Sequence, residues 1–237
     1  MAPKILFVFT SNDKLHNTDK KTGWYLPEAA HPYYTLKEAG FELVAASEKG
    51  GKPPLDQSSV DAFGEKDAQS KKFLQDKEAQ QWLENSIPIS QVQPPAKEYD
   101  AIFYPGGHGP LIGLPDDDHS QALIRSFYES GRIVSAVCHA PVVLTNVKLS
   151  DGSYLVKGRK VTSFSNEEEE QAQMVDHCPY LVETRLGERG GEFQKGTPWT
   201  EKVVVDKDSQ GRILITGANP QSGHGLAKEI VSLLKAH

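Results

Sequence analysis

Cys138 and His139 stand side by side at the end of an apolar run, Ile133 to Val137. The run has the length and composition of a short buried strand. Ala140 to Leu144 then predicts a helix, with Pro141 suited to its first turn. A strand that passes into a helix through a reactive side chain is the geometry of a nucleophile elbow. A thiol at such a helix start is favoured as thiolate by backbone N–H groups and the helix dipole, and the thiolate is the nucleophilic form. A free cysteine is more often a small core hydrophobe. The adjacent histidine and the small residues before it favour the nucleophile here.

A thiol nucleophile needs a base to move its proton and donors for the oxyanion that its attack creates. His139 is the base within reach. Pro105 to Pro110, PGGHGP, comes after another short apolar run and supplies Gly106 and Gly107, whose backbone can turn N–H groups toward a ligand. His108 in the same loop faces the same space. The loop lacks the lysine and the spacing of a phosphate loop. Ser165 to Glu170, SNEEEE, carries four consecutive glutamates, and one of them is placed to orient His139. Ser165 or Asn166 caps the helix that these glutamates begin. His31 suits capping or packing against Pro32, Cys178 a structural role, and Trp199 packing or the rim of a pocket.

These residues must be delivered by a scaffold. Ile5 to Phe9 is continuous and apolar, the mark of a central parallel strand buried on both faces. Phe41 to Ala46, Asp100 to Tyr104, Ile133 to Val137 and Lys160 to Phe164 are the next strands. Val203 to Val205 and Ile213 to Thr216 predict a hairpin across DKDSQGR. Helices are predicted from Gly23 to Gly40, with a kink or restart at Pro32, from Ser120 to Ser130, and after TGANP. Alternation to the end predicts one α/β domain over 1–237, in which two successive strands bring PGGHGP and VCHAP to one edge of the sheet. Residues 47–98 break the rhythm and are expected to form an insertion over one face. Within it Ala68 to Asn85 predicts one amphipathic helix, and Ile87 to Pro95 an irregular connection.

Composition narrows the function. With 26 basic and 32 acidic residues the net charge is −6, which disfavours nucleic acid or an anionic membrane as partner. No run approaches the ~18 apolar residues of a membrane span. The start of the chain lacks a signal-peptide pattern, and two cysteines do not make a disulfide scaffold, so a cytoplasmic location is expected. No Cys/His cluster has zinc spacing, and no structural metal is expected.

Several stretches together are similar to the ThiJ/PfpI superfamily, which is grouped with the class I glutamine amidotransferase-like folds. They are KILFVFTS, KTGWYLPEAAHPYYTLKEAGFELVAAS, YPGGHGP, AVCHAP, VKGRKVTSFSNEEEE, TPW and ITGANPQS. Within the superfamily the chain resembles the fungal glutathione-independent glyoxalases, also described as stress-induced holding chaperones. The resemblance implies a flavodoxin-like three-layer sandwich with a mostly parallel sheet, often paired as a homodimer. It implies Cys138 as nucleophile, His139 as general acid/base and Glu169 as third member of the triad. It places Glu28 of PEAAHP against the sulfur, and the N–H groups of Gly107 and His139 at the oxyanion. Fungal members commonly carry threonine-aspartate, two residues and a glutamate where this chain has Ser165 to Glu169, so the triad acid lies among Glu167 to Glu170. The 47–98 stretch matches the family poorly.

The implied activity is conversion of methylglyoxal, an α-oxoaldehyde, to D-lactate through a hemithioacetal on Cys138, without redox cofactor or glutathione. A holding chaperone that offers Ile87, Ile89 and Val92 to unfolded clients is a second possibility. A sensor that oxidises Cys138 is a third, and a peptidase or amidase a fourth.

Overall fold

The computed structural model describes residues 2–93 and 98–236. Its central strand β1 (Lys4–Phe9) is buried from Ile5 onward. Parallel neighbours lie on both sides, β2 (Glu42–Ser47) with Phe7 opposite Ala45, and a later strand with Phe7 opposite Phe103. A strand with both faces covered feeds two cores, because its side chains alternate. Leu6 and Val8 enter one core, and Ile5, Phe7 and Phe9 the other.

Helix α1 (Leu26–Glu38) starts with proline in its first turn. It then runs unbroken through Pro32, where a kink or restart was expected. Pro32 is buried against the final helix near Gly223, so tertiary packing holds the turn that the missing N–H weakens.

The described part of residues 47–98 contains α2 (Gln57–Phe63), α3 (Ala68–Gln75), α4 (Lys77–Glu84) and the edge strand β3 (Ile87–Pro88), parallel to β2. The single amphipathic helix expected over 68–85 is two helices. Asp76 ends the first in extended backbone and caps the second, accepting from the N–H groups of Glu78 and Ala79. Phe73 and Leu83 pack into the core that α1 covers. Ile89 and Val92 are 1% and 3% exposed and Ile87 packs against the other core, so the apolar surface suggested for client binding is not displayed. Pro94 and Pro95, part of the expected irregular connection, lie outside the described residues.

The second half supplies β4 (Ala101–Tyr104), α5 (Asp118–Glu129), β5 (Ile133–Val137), β6 (Lys160–Val161), α6 (Asn166–Gln171), α7 (Val182–Glu188), β7 (Glu192–Phe193), β8 (Val203–Lys207), β9 (Ile213–Gly217) and α8 (Gly223–Lys235). The seven-stranded sheet of the described residues has the order β3-β2-β1-β4-β5-β9-β8, parallel except for the β8–β9 hairpin. Residues of α1, α3, α4 and α8 join one core and those of α5 and α7 the other, which makes the three-layer α/β sandwich. The strand expected over 160–164 is shorter and pairs with β7 outside the main sheet. Its continuation is redirected at Thr162, whose N–H donates to the Thr216 hydroxyl. No helix of the described residues is long and apolar enough to cross a membrane. Strands β4 and β5 are adjacent and parallel, so their C-terminal loops, PGGHGP and CHAP, open side by side.

Candidate active site

Cys138 comes directly after β5 with φ of 62°, a left-handed conformation that is costly for a residue other than glycine. Its N–H donates to the Gly217 carbonyl at 2.9 Å and its carbonyl accepts from the Phe164 N–H at 2.8 Å. Neighbouring segments thus hold the strained residue from both sides, and its side chain lines a cavity of about 400 Å³. The geometry is that of an elbow. A 3₁₀ turn, Ala140–Leu144, then takes the place of the expected α-helix. So short a turn lacks the aligned peptide dipoles of a helix.

The resting protonation state also departs from expectation. Burial pushes the Cys138 thiol well above its ordinary pKa, and charge on Glu28 works in the same direction. The Gly107 N–H, donating to the sulfur, opposes them. The sulfur therefore rests as a thiol, and attack through it would need a base.

An imidazole is positioned for that part. His139 Nδ1 lies 3.2 Å from Cys138 Sγ, and His139 Nε2 lies 2.6 Å from Glu169 Oε2. Both contacts are satisfied when Nε2 carries the proton and donates to the carboxylate, which leaves the Nδ1 lone pair facing the thiol. Burial keeps the imidazole below its ordinary pKa, with nearby His108 adding to the effect and Glu169 opposing it. Burial alone would raise Glu169, but His139 and His108 together hold its carboxyl well below the usual range. His108 Nε2 donates to Glu169 Oε1 at 2.7 Å, and its ring lies 4.0 Å from that of His139.

Of the four glutamates, only one reaches the imidazole. Glu167 is paired on the surface with Lys195, and Glu170 is exposed. Glu168 is buried and fully engaged elsewhere. Its Oε2 accepts from the N–H and hydroxyl of Ser165, and its Oε1 from the Trp199 N–H and Asn219 Nδ2. The Ser165-x-x-Glu168 spacing is a capping box, a signal readable in the sequence that would have set Glu168 aside.

Glu28, from the first turn of α1, is fully buried beside Cys138. The Gly106 N–H donates to its Oε2 at 2.9 Å. Gly106 therefore differs from its expected part: its N–H is spent on Glu28 rather than turned to a substrate. A side chain at Gly106 would put a Cβ 2.5 Å from Glu28 Oε2 and 2.8 Å from Cys138 Cβ, so the close approach requires glycine. Burial pushes Glu28 up to about 8, against the lowering effect of its contacts with Cys138 and the Gly106 N–H. At neutral pH it is a carboxylic acid. Its Oε1 is buried without a hydrogen-bond partner.

Above pH of about 8 the Glu28 proton is lost, and a carboxylate beside the sulfur opposes thiolate formation. Turnover is expected to fall on that alkaline limb. Glu28→Gln, whose amide still donates, is expected to keep the fold, lower the rate roughly tenfold and lose the limb. A pH–rate profile of kcat/KM checks this. A variant limb superimposable on the parent's assigns it to another group.

Aromatic and apolar side chains make up much of the remaining wall, and Lys20, Lys21, Asp56 and Ser58 also line it. Phe164 lies 4.5 Å from the His139 ring, and Trp199, 41% exposed, forms the rim. Tyr25 also lines it and was not anticipated, since its neighbours GWYLPE carry no signal beyond Glu28. Asn219 was likewise missed. His31 is elsewhere, with Nε2 2.8 Å from Asp67 Oδ2.

The sequence matches the DJ-1/PfpI family over residues 23–233. It is 30% identical to Glyoxalase 3 of Candida albicans over 243 residues, covering 99% of each chain. It is 30% identical to the glutathione-independent glyoxalase HSP31 of Saccharomyces cerevisiae, covering 99% of this chain and 100% of that one. The crystal structure of glyoxalase III from Candida albicans superposes with a TM-score of 0.84 at 29% identity, covering 97% of this chain and 96% of that one.

Proposed function

This chain belongs to the DJ-1/PfpI family, in the branch of the fungal glutathione-independent glyoxalases, and from that premise we propose that it converts methylglyoxal to D-lactate on Cys138. The observation that carries the reading is the unbroken sequence from Sγ to Nδ1 at 3.2 Å and from Nε2 to the Glu169 carboxylate at 2.6 Å, opening on a cavity of about 400 Å³.

Those distances set the steps. The Cys138 sulfur bonds to the aldehyde carbon as its proton passes to His139 Nδ1, and Glu169 stabilises the resulting imidazolium. The carbonyl electrons move to oxygen. The N–H groups of Gly107 and His139 are the proposed donors to that oxyanion, and Gly107 already donates to the attacking sulfur. His139 returns the proton to the oxygen and gives a hemithioacetal. It then removes the C1 hydrogen as a proton, and the electron pair moves toward C2 to form an enediol. Protonation at C2 leaves a thioester at C1 and a hydroxyl at C2. Water, deprotonated by His139, releases the 2-hydroxy acid and regenerates the thiol. C1 is oxidised as C2 is reduced, so no external electron acceptor enters. The face on which C2 is protonated sets the D configuration.

The raised pKa of the thiol argues against the peroxide-sensor reading, which needs a standing thiolate.

The test is steady-state turnover of methylglyoxal with no added thiol, with the product read by a D-lactate-specific assay. Turnover in the range of about 1–10³ s⁻¹ is expected. Absence of D-lactate, or formation only when glutathione is supplied, overturns the reading.

A further inference from the structure

We propose that His108, Glu169 and Cys178 form a binding site for a zinc-class divalent cation, and that the site shares its carboxylate with the triad so that the metal inhibits the enzyme. One ligand atom from each of the three lies within 4.8 Å of the others. Cys178, which the sequence suits to a structural or incidental part, sits beside Glu169, and its Sγ–H donates to the Met174 carbonyl at 3.4 Å. His108 Nε2 and Glu169 Oε1 are already 2.7 Å apart across a shared proton.

Zinc bonds of about 2.0–2.3 Å place tetrahedral donors roughly 3.5 Å apart, so side-chain adjustments within the existing cluster accommodate an ion. Thiolate, imidazole and carboxylate together select zinc over calcium or magnesium. The Cys178 thiolate and the Glu169 carboxylate balance the divalent charge, which a largely buried site requires. The Cys178 thiol proton is released to solvent on binding, and His108 carries its proton on Nδ1 instead of Nε2. The fourth position is left to water from the cavity that His108 lines. Glu169 Oε2 keeps its hydrogen bond from His139, which orients the carboxylate. A cation on Oε1 withdraws charge from the carboxylate on which the imidazolium depends, and His139 becomes a weaker base.

Metal binding at these residues does not depend on the Cys138 chemistry. Only its inhibitory consequence rests on the glyoxalase reading. The experiment titrates cobalt(II) into the full-length protein and monitors the near-ultraviolet thiolate-to-cobalt charge-transfer band. The parent and Cys138→Ala are expected to show the band, Cys178→Ser to lose it, and His108→Gln to need at least about tenfold more metal. Thermal melts of the variants confirm that each is folded. In the turnover assay, zinc is expected to inhibit the parent and to leave Cys178→Ser at least about tenfold less sensitive. A band that survives in Cys178→Ser and disappears in Cys138→Ala places the metal on the nucleophile and overturns the proposal. So does a parent with no band. A parent without glyoxalase turnover that still shows a Cys178-dependent band removes the enzymatic reading and leaves the metal site standing.

Discussion

Cys138→Ala is expected to lower D-lactate formation from methylglyoxal by about 10⁴-fold or more, because the hemithioacetal cannot form without the sulfur. The fold is expected to survive. Alanine has the same Cβ as cysteine, so the backbone at φ of 62° gains no new strain. The hydrogen bonds of the Cys138 N–H and carbonyl are main-chain bonds and remain available. The substitution removes the buried thiol, the partner of Glu28, Gly107 and His139. Glu28 is neutral below about pH 8, so removal of the sulfur leaves no unpaired charge at neutral pH. Circular dichroism and a thermal melt establish the fold, and turnover without added thiol gives the result. A folded Cys138→Ala protein that works within tenfold of the parent refutes covalent catalysis at this residue.

Glu169→Gln is expected to lower kcat by roughly 10²–10⁴-fold with little change in KM. The amide is nearly isosteric but carries no negative charge, so the imidazolium that forms as the thiol attacks loses its stabilising partner. The amide can also donate to Nε2. That selects the other tautomer and puts a proton on Nδ1, where a lone pair has to face the sulfur. Glu168→Gln is the control one residue away. It disturbs the clamp on Ser165, Trp199 and Asn219, so it is expected to cost about 2 kcal/mol of stability and to spare most of kcat. Rates and urea melts on both variants separate the two. A larger kcat loss in Glu168→Gln than in Glu169→Gln reverses the assignment.

The same lowered Glu169 pKa fixes a sign for acid stability. A carboxyl held below its ordinary value of 4.5 in the folded protein contributes stability above that pH and loses it as the pH falls through the folded value. Part of the acid lability of the parent should therefore be absent from Glu169→Gln.

Some of this was legible without coordinates. Ile5 to Phe9 announced a strand buried on both faces because an unbroken apolar run has no side that tolerates water. The adjacency of Cys138 and His139, the paired glycines after β4 and the family resemblance placed the chemistry at one end of the sheet. The resemblance also pointed to Glu28 and Glu169, and those are the carboxylates found beside the sulfur and the imidazole. Local propensity went wrong where tertiary packing outweighed it, at Pro32 in an unbroken helix and at Lys160 to Phe164, which leave the main sheet. It also missed Asp76, whose side chain competes with the helix for its own backbone.

The sequence by itself determined the kinds of atoms available, a thiol, an imidazole and acids enough to serve it, and the α/β pattern that carries them. Only the tertiary structure decided which of four consecutive glutamates reaches the imidazole, because two of them turn inward and Trp199 and Asn219 take up Glu168. It also decided that the nucleophile rests protonated, since the desolvation that raises the thiol and Glu28 comes from packing by segments distant in sequence. Burial is a property of the assembled chain, and so are the proton positions that depend on it.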